Sequence, residues 1–383
     1  MRTSHHPRPT NLPWGGSEVP HATIEMNQVC NLACEGCYKH KFSFQKPVEE
    51  LKKEIDFVST RRNLETLTLL GGEPTLHPAL CEVVSHVKSK GIRPHILTNA
   101  TTLNEPLLMA LKKAGVARIT MHIDSHQGKR PDFPNAKPTE ADLDDLRKGY
   151  VALCNKVGID TGLAVTIYRD TIADFMNLTQ LAEEIGCTKV FATTYCQEAN
   201  IEERPADSLS LYNLDVFNFF ATKKIYPAWS IGSDRNAADL RWMIYSSAVT
   251  RSSSSNRLTR LQFAPHHRLA MWLLPRLARM SLGHHRFESA PLLRERFVGL
   301  LLMGLLALVS RAPWEAFTIL AFLIRAIKNG HLEFHSVVVQ ELPRQQSDGT
   351  YNNCADCPDA TVRNGKIIPV CYVDKVEPWA GAP

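Results

Sequence analysis

The sequence predicts an α/β fold built on a parallel sheet, and three observations carry that expectation. Six short β-rich runs occur over 22–28, 64–70, 93–98, 117–123, 160–167 and 189–193. Between them, segments 47–60, 77–91, 104–116, 140–158 and 170–186 place apolar residues at helical spacing. Several of these segments stop at glycine, as at Gly91, Gly115, Gly158 and Gly186, the usual helix terminator. Strand–helix alternation of this kind gives parallel strands joined by helical crossovers, as an open doubly wound sheet or a full or partial (β/α) barrel.

Each geometry puts chemistry at the C-terminal ends of the strands. The residues that follow the strands are therefore the candidates: 30–38 after the first, "GGEP" (71–74) after the second, "TNAT" (98–101), "DSH" (124–126), and Tyr195 with Cys196.

The chain has 383 residues, a formal net charge of +5 and ten cysteines. Its first residues, "MRTSHHPRPTNLPWGG", lack the apolar core of a secretory signal, so the cysteines are expected to be reduced and the chain cytoplasmic. Cys81, Cys154, Cys187 and Cys196 are scattered and read as small buried hydrophobes. The remaining six form two groups, Cys30, Cys34, Cys37 and Cys354, Cys357, Cys371.

"CNLACEGC" gives C-x3-C-x2-C on the catalytic rim. Three thiolates in one loop suit zinc, with His40 able to close the site, or an iron–sulfur cluster with one iron left open to a small molecule. This motif and the "GGEP" after the second strand together resemble the radical S-adenosylmethionine (SAM) superfamily, over roughly residues 20–195. The resemblance implies that Cys30, Cys34 and Cys37 hold a [4Fe–4S] cluster whose fourth iron chelates SAM. It implies further that Gly71, Gly72 and Glu73 hold the SAM amino group, and that Thr98, Asn99, Asp124 and Ser125 reach its sugar or carboxylate. Reduction of the cluster would cleave SAM to a 5′-deoxyadenosyl radical that abstracts hydrogen from a substrate. A reduced ferredoxin or flavodoxin is then the expected electron donor, and oxygen sensitivity follows. One departure is visible: the family usually has an aromatic residue just before the third cysteine, where this chain has Gly36, with Tyr38 just after it.

"CADCPDATVRNGKIIPVC" (354–371) gives C-x2-C-x13-C around an "RNGK" turn that folds the third cysteine back toward the first two. It resembles the auxiliary-cluster extensions of the SPASM and twitch types, and so implies a second iron–sulfur cluster on Cys354, Cys357 and Cys371. A zinc knuckle closed by Cys196 or a histidine is the alternative.

Residues 230–330 differ in character. Arg241, Arg251, Arg257, Arg260, Arg268, Arg276, Arg279 and Arg286, with four histidines and no acid between 241 and 287, alternate with aromatic and aliphatic residues. Two apolar runs follow, 297–309 and 314–330, the first shorter than the roughly 20 residues a bilayer span needs. This pattern predicts an interfacial element docking on an anionic membrane surface through 241–330, peripheral to the inner face. The alternative is a helical subdomain whose apolar hairpin packs into the core. The apolar density argues against a nucleic-acid surface.

The expected architecture is α/β: a tail over 1–19, a partial (β/α)6 barrel over 20–200, a helical basic and apolar insertion over 201–345, and a small cysteine-rich extension over 346–383. The function expected is radical SAM chemistry on a hydrophobic or membrane lipid. The alternatives are modification of a peptide or nucleotide-like small molecule, and a zinc-stabilised membrane-associated interaction protein without catalysis.

Overall fold

The computed structural model describes residues 9–197, 207–233, 239–252, 257–263, 304, 308, 313–352, 354 and 356–379. Its first half follows the expected alternation: β1 (His21–Glu25), α1 (Val48–Ser59), β2 (Thr66–Leu70), α2 (Leu80–Ser89), β3 (Arg93–Thr98), α3 (Glu105–Ala114), β4 (Arg118–His122), α4 (Glu140–Val157), β5 (Asp160–Ile167), α5 (Ile172–Glu184) and β6 (Lys189–Thr194). The six strands pair in sequence order and in parallel. Helix α3 opens on the Asn104 side chain, which accepts from the Leu107 N–H, and closes on Gly115 at φ 99°. Helix α4 starts with a reciprocal Thr139–Asp142 capping box and ends at Gly158, φ 75°.

The strands alternate in a way that decides where the core lies. Ile24, Leu67, Leu69, Ile96, Ile119, Met121, Val190 and Ala192 point outward, where they join Leu51, Val83, Val84, Leu108, Leu111 and Leu178 of the helices in one buried cluster. The opposite face carries His21, Thr23, Thr68, His95, Thr120 and Lys189, which line a cavity instead of a packed core. Hydrophobic free energy is therefore gathered mainly between sheet and helices, and the inner face mixes these polar side chains with Leu70, Leu97 and Phe191.

The expectation of a helical insertion over 201–345 is corrected. Its described residues hold α6 (Asn213–Thr222), β7 (Trp229–Gly232), β8 (Leu240–Arg251), β9 (Leu258–Gln262), α7 (Pro313–Asn329) and β10 (Glu333–Glu341). The sheet continues as β6-β10-β8-β7, with β9 also on β8, for ten strands; β10 is parallel to β6, and β8 is antiparallel to its neighbours. "LRWMIYSSAVTR" is a run of β-branched, aromatic and small residues buried along nearly its whole length, and strand pairing outweighs its arginines. Those arginines also have protein partners. Arg241 is buried and donates to the Leu342 carbonyl (2.9 Å), Arg251 donates to Glu184 O (2.7 Å), and Arg260 Nε donates to Glu183 (2.5 Å). Arg268, Arg276, Arg279 and Arg286 lie outside the described residues, as does the apolar run 297–309 apart from Gly304 and Leu308. Among the described residues no helix is long and apolar enough to cross a membrane.

Among the described residues the sheet does not close: β1 and β7 are its two ends. Segment 9–20 reaches β7, where Thr10 N donates to Ser230 O (2.9 Å) and Gly232 N to Thr10 O (3.1 Å). The C-terminal extension lies against β1. Its hairpin, β11 (Ala360–Arg363) and β12 (Lys366–Pro369), turns at Asn364 and Gly365, both at positive φ as a two-residue I′ turn requires, and leads to the short α8 (Val373–Val376).

A buried charge network fastens the extension. Glu25, at the end of β1, is fully buried and paired with Lys39 and with Arg363 Nη2 (2.5 Å). Asp374 completes it, 3.1 Å from Arg363 and 3.7 Å from Lys39. Trp379 covers the group, with the Arg363 guanidinium 3.6 Å from its ring centre. Burial pushes the Glu25 carboxyl up, but Lys39 and Arg363 outweigh it and hold the pKa at about 2.

Glu25→Gln leaves two buried cations facing one carboxylate, so unfolding experiments should show a loss of about 3–5 kcal/mol. Because the folded pKa lies below that of the unfolded chain, the wild-type contribution is complete above about pH 5 and disappears as pH falls toward 2. The variant should lack that segment of the pH–stability curve; an identical acid limb in both proteins would overturn the assignment.

Candidate active site

The ends of β1 and β2 touch through their backbones. Gly72 N donates to Asn27 O (2.8 Å) and Glu73 N to Val29 O (2.7 Å), so the "GGE" turn is stitched to the start of the cysteine loop. A Cβ at Gly71 would lie 2.4 Å from Asn27 O, and one at Gly72 2.2 Å from Val29 O. Gly71 also has φ 148°. Only glycine fits both positions.

Glu73 is buried, and its carboxylate is shared between two tasks. Oε1 accepts from Thr75 N (3.0 Å), Thr75 Oγ1 (2.5 Å) and Thr98 Oγ1 (2.6 Å), while Oε2 accepts from Asn99 N (2.7 Å). A carboxylate oxygen takes about two donors, which leaves Oε2 with acceptor capacity toward the cavity that Glu73 lines. Burial raises the Glu73 pKa, against the pull of these hydrogen bonds.

Asn99 ties β3 to the cysteine loop. Its Nδ2 donates to Asn31 Oδ1 (2.8 Å) and lies 3.9 Å from Cys30 Sγ. Its carbonyl accepts from Arg130 Nη2 (3.1 Å), a buried guanidinium also held by Asp132 and Gln127. Asp124, after β4, accepts from His126 N (2.9 Å) and Thr166 N (3.1 Å) and pairs with His122 Nε2 (2.8 Å). Burial opposes its ionisation, but His122 and the two N–H groups prevail and its pKa is lowered.

Cys30, Cys34, Cys37, Gly71, Gly72, Glu73, Thr98, Asn99 and Asp124 all line one cavity of about 910 Å³. Ser125 does not: it lines a small cavity with residues of α4 and α5. Both residues lie in the turn after β4, and Asp124 borders the two cavities while Ser125 borders only the smaller.

Several contributors were not legible as site residues. Tyr168, just after β5, stacks between His126 (centroids 3.9 Å apart) and Tyr195 (5.0 Å). A Cβ at Gly36 would lie 2.3 Å from the Tyr168 hydroxyl oxygen. Glycine precedes the third cysteine because a distant tyrosine occupies the space there. Glu35 accepts or shares a proton with His126 Nδ1 (2.7 Å), clasping the loop from the same side. Lys41 spans the loop to Leu32 O (3.0 Å), and its charge partly opposes the rise that burial imposes on the Cys30 and Cys34 thiols. The only sequence signal for Tyr168 and His122 was their position at strand ends.

Burial pushes the Cys30 and Cys34 thiols up, and each lies close enough to Cys37 to be raised further by it. Among the described residues no three His, Cys, Asp or Glu side chains gather closely enough to hold a single metal ion. A [4Fe–4S] cluster takes one thiolate per iron and accepts a wider triangle, and its cationic irons relieve the repulsion among thiolates. The donor set fits such a cluster.

Cys354, Cys357 and Cys371 are buried. Cys354 and Cys357 pack with Ile231, Trp242 and Val338; Cys371 packs with Cys196, Leu342, Tyr38 and Tyr372. Burial raises the Cys357 pKa and takes that of Cys371 to about 12, and Cys354 adds to both. Tyr38, adjacent to Cys37, therefore contacts the second cysteine group.

Residues 24–182 match the model of the radical SAM superfamily. The chain is 28% identical over 178 residues to the Fe-coproporphyrin III synthase of Methanosarcina barkeri, covering 45% of this chain and 43% of that one. It is 28% identical over 113 residues to a probable GTP 3′,8-cyclase of Methanocaldococcus jannaschii (29% and 38%). Over 212 residues it is 24% identical to the antilisterial bacteriocin subtilosin biosynthesis protein AlbA of Bacillus subtilis (51% and 44%). The chain spans about half the length, or less, of these curated relatives. Among solved structures, SuiB of Streptococcus suis bound to precursor peptide SuiA aligns over 54% of this chain and 46% of that one, with a TM-score of 0.41 and 17% identity. The cysteine loop and the "GGE" turn, which converge on one cavity at the strand ends, both fall within residues 24–182, the part of the chain that matches the radical SAM superfamily.

Proposed function

We propose that Cys30, Cys34 and Cys37 bind a [4Fe–4S] cluster and that SAM occupies the remainder of the cavity, held at Gly71, Gly72, Glu73, Thr98, Asn99 and Asp124. The observation that carries this reading is the convergence of those nine residues on a single cavity. When bound, the cluster and SAM supply a 5′-deoxyadenosyl radical able to take hydrogen from an unactivated C–H bond. The chain's own residues position and protect that chemistry. Glu73 Oε2 offers an acceptor for an ammonium group, and the carbonyls of the glycine turn lie beside it. Lys41 offsets the negative charge of thiolates at Cys30 and Cys34. Leu70, Leu97, Tyr168 and Phe191 form apolar wall that keeps water from a reactive radical. Ser125, expected beside them, does not line this cavity. Cys354, Cys357 and Cys371 would hold a second iron–sulfur cluster, and a reduced ferredoxin or flavodoxin would supply the electron.

For the substrate, the threonine, histidine and lysine side chains set among Leu70, Leu97 and Phe191 in the inner cavity support a small molecule or peptide carrying polar groups as a reading beside the lipid suggested by the arginine-rich region. The similar proteins named for bacteriocin, GTP and coproporphyrin chemistry are in keeping with it. One observation favours a membrane contact. Helix α7 buries Ala316, Ile319, Phe322, Leu323 and Ala326 against β8 and β9 while Trp314, Phe317, Leu320, Ile324 and Ile327 are exposed. An anionic membrane surface is the second reading for this face.

Anaerobically reconstituted protein with a low-potential reductant should contain iron and acid-labile sulfide and release 5′-deoxyadenosine from SAM. Cys34→Ala should abolish that release; cleavage at the wild-type rate, or zinc alone in both cysteine groups, would defeat the proposal. Gly72→Ala, which forces Val29 away, should lower iron at the first site without altering that bound by the second. For α7, Trp314→Glu combined with Phe317→Glu should reduce flotation with phosphatidylglycerol vesicles, and unchanged flotation would remove the membrane reading.

A further inference from the structure

Of the four cysteines outside the two groups, Cys81, Cys154 and Cys187 belong to the core between sheet and helices, whereas Cys196 packs in one buried cluster with Cys371, Leu342, Tyr38 and Tyr372. Cys196 lies two residues past the end of β6, and its chain neighbours are fixed there. Tyr195 N donates to Ile167 O (2.8 Å), Tyr195 O accepts from Leu211 N (3.0 Å), and Gln197 N donates to Ser210 Oγ (3.3 Å). Burial raises the Cys357 thiol first, and Cys354 and Cys371 raise it further, so these three are electrostatic neighbours. Four buried cysteines from separate parts of the chain thus gather at one place. Among the described residues no three His, Cys, Asp or Glu side chains come close enough to hold a single metal ion. The wider spread of ligands around a cluster suits the four cysteines better than the tight tetrahedron of zinc.

The surroundings suit negative charge. Arg241, on β8, is buried; its Nη1 donates to the carbonyl of Leu342 in the same cluster (2.9 Å), and its Nε has no hydrogen-bond partner among the described residues. Burial raises the Cys371 thiol, and the strongest influence against that rise is Arg241, ahead of Lys39. Glu341 also feels Arg241, but its oxygens accept from Asn213 N (2.7 Å) and Arg344 Nε (3.4 Å). On the other side, Arg62 Nη1 donates to the Cys357 carbonyl (3.0 Å). A buried guanidinium with an unused donor is destabilising unless an anion lies beside it, and thiolates supply one.

We propose that Cys196 is the fourth protein ligand of the second iron–sulfur cluster, beside Cys354, Cys357 and Cys371, and that Arg241 offsets the negative charge of the four-thiolate cluster. Such a cluster has no iron open to a small molecule, in contrast to the first. This rests on the reading above that the C-terminal cysteines bind an iron–sulfur cluster. It goes further in naming the fourth ligand and in closing that metal to substrate.

The test uses the full-length chain carrying Cys30→Ala, Cys34→Ala and Cys37→Ala, reconstituted anaerobically so that only the second group takes up iron. This parent should hold about four irons and as much acid-labile sulfide per chain. The electron paramagnetic resonance of its reduced cluster should be unmoved by cyanide, a ligand for an open iron, and this measurement needs no change at Cys196. Adding Cys196→Ala should make the spectrum respond to cyanide and should speed the loss of iron to a chelator about tenfold or more. Cys187→Ala should behave as the parent does, and circular dichroism and thermal unfolding should show each variant folded. Arg241→Met should lower the reduction potential of the cluster, and Arg241→Lys should restore most of it. A parent spectrum that cyanide shifts, or a spectrum and iron release unmoved by Cys196→Ala, would overturn the fourth ligand while leaving the second cluster in place. An unmoved potential in Arg241→Met would overturn the role of Arg241. Zinc in place of iron in the parent would overturn the second cluster and this proposal together.

Discussion

At the end of the first strand a fully buried carboxylate holds two buried cations that belong to different parts of the chain. Glu25 binds Lys39, two residues past the third cysteine of the rim, and Arg363, on the first strand of the C-terminal hairpin. Burying any one of these charges alone would be prohibitively unfavourable, so all of them must arrive together. The cysteine loop therefore cannot reach its place without the extension, and the extension cannot dock without the loop. Asp374, three residues past Cys371, completes the network and places the second cysteine group relative to the first. The Gln28 side chain reinforces the same joint: in the orientation that satisfies its partners it donates to His40 O (2.6 Å) and accepts from Trp379 Nε1 (2.7 Å).

The rim itself depends on backbone contact. Two strand ends meet closely enough that Gly71 and Gly72 admit no side chain, and their proximity lets Glu73 bridge from the cysteine loop to the end of β3. Asn99 then returns to the loop through Asn31, and Arg130 fixes Asn99 from behind. Each link is short and buried, so the cavity has a rigid wall, which positioning of a cofactor requires. Opposite that wall, the His126–Tyr168–Tyr195 stack supports the loop at Gly36. Glycine there and tyrosine on β5 are one steric solution divided between two distant places in the chain.

The sheet shows how apolar and polar surface are divided. Its outward face is buried beneath the helices, as in any α/β protein, but the inner face is not filled by a second layer of Val, Ile and Leu as a closed barrel would be. Threonine, histidine and lysine alternate there with Leu70, Leu97 and Phe191 and leave a chamber next to the cysteine rim. The ten-stranded sheet stays open between β1 and β7, with segment 9–20 on β7 and the C-terminal hairpin against β1. Strand β10 extends the chamber wall past β6, and its Gln340 lines it.

The sequence by itself determined most of the first half. The period of its apolar residues, its glycine helix ends and its "RNGK" turn are local signals, and the six strands and five helices formed within a few residues of where those signals placed them. The cysteine spacings and the double glycine were legible for the same reason, since they express local chemistry and close backbone approach. What only the tertiary structure decided depends on residues far apart in the chain. Nothing local marks Glu25 as the partner of Arg363, Tyr168 as the neighbour of Gly36, or Arg241 as a buried donor instead of a headgroup ligand. The same holds for 240–251, whose arginines and aromatics suggested an amphipathic helix until pairing with β10 made it a strand. Asp124 borders the cysteine cavity and Ser125 beside it does not, a difference set by the path of the turn after β4. Period and composition are properties of neighbours in sequence, whereas partner choice for a buried charge or a strand edge is settled by the free energy of the assembled fold.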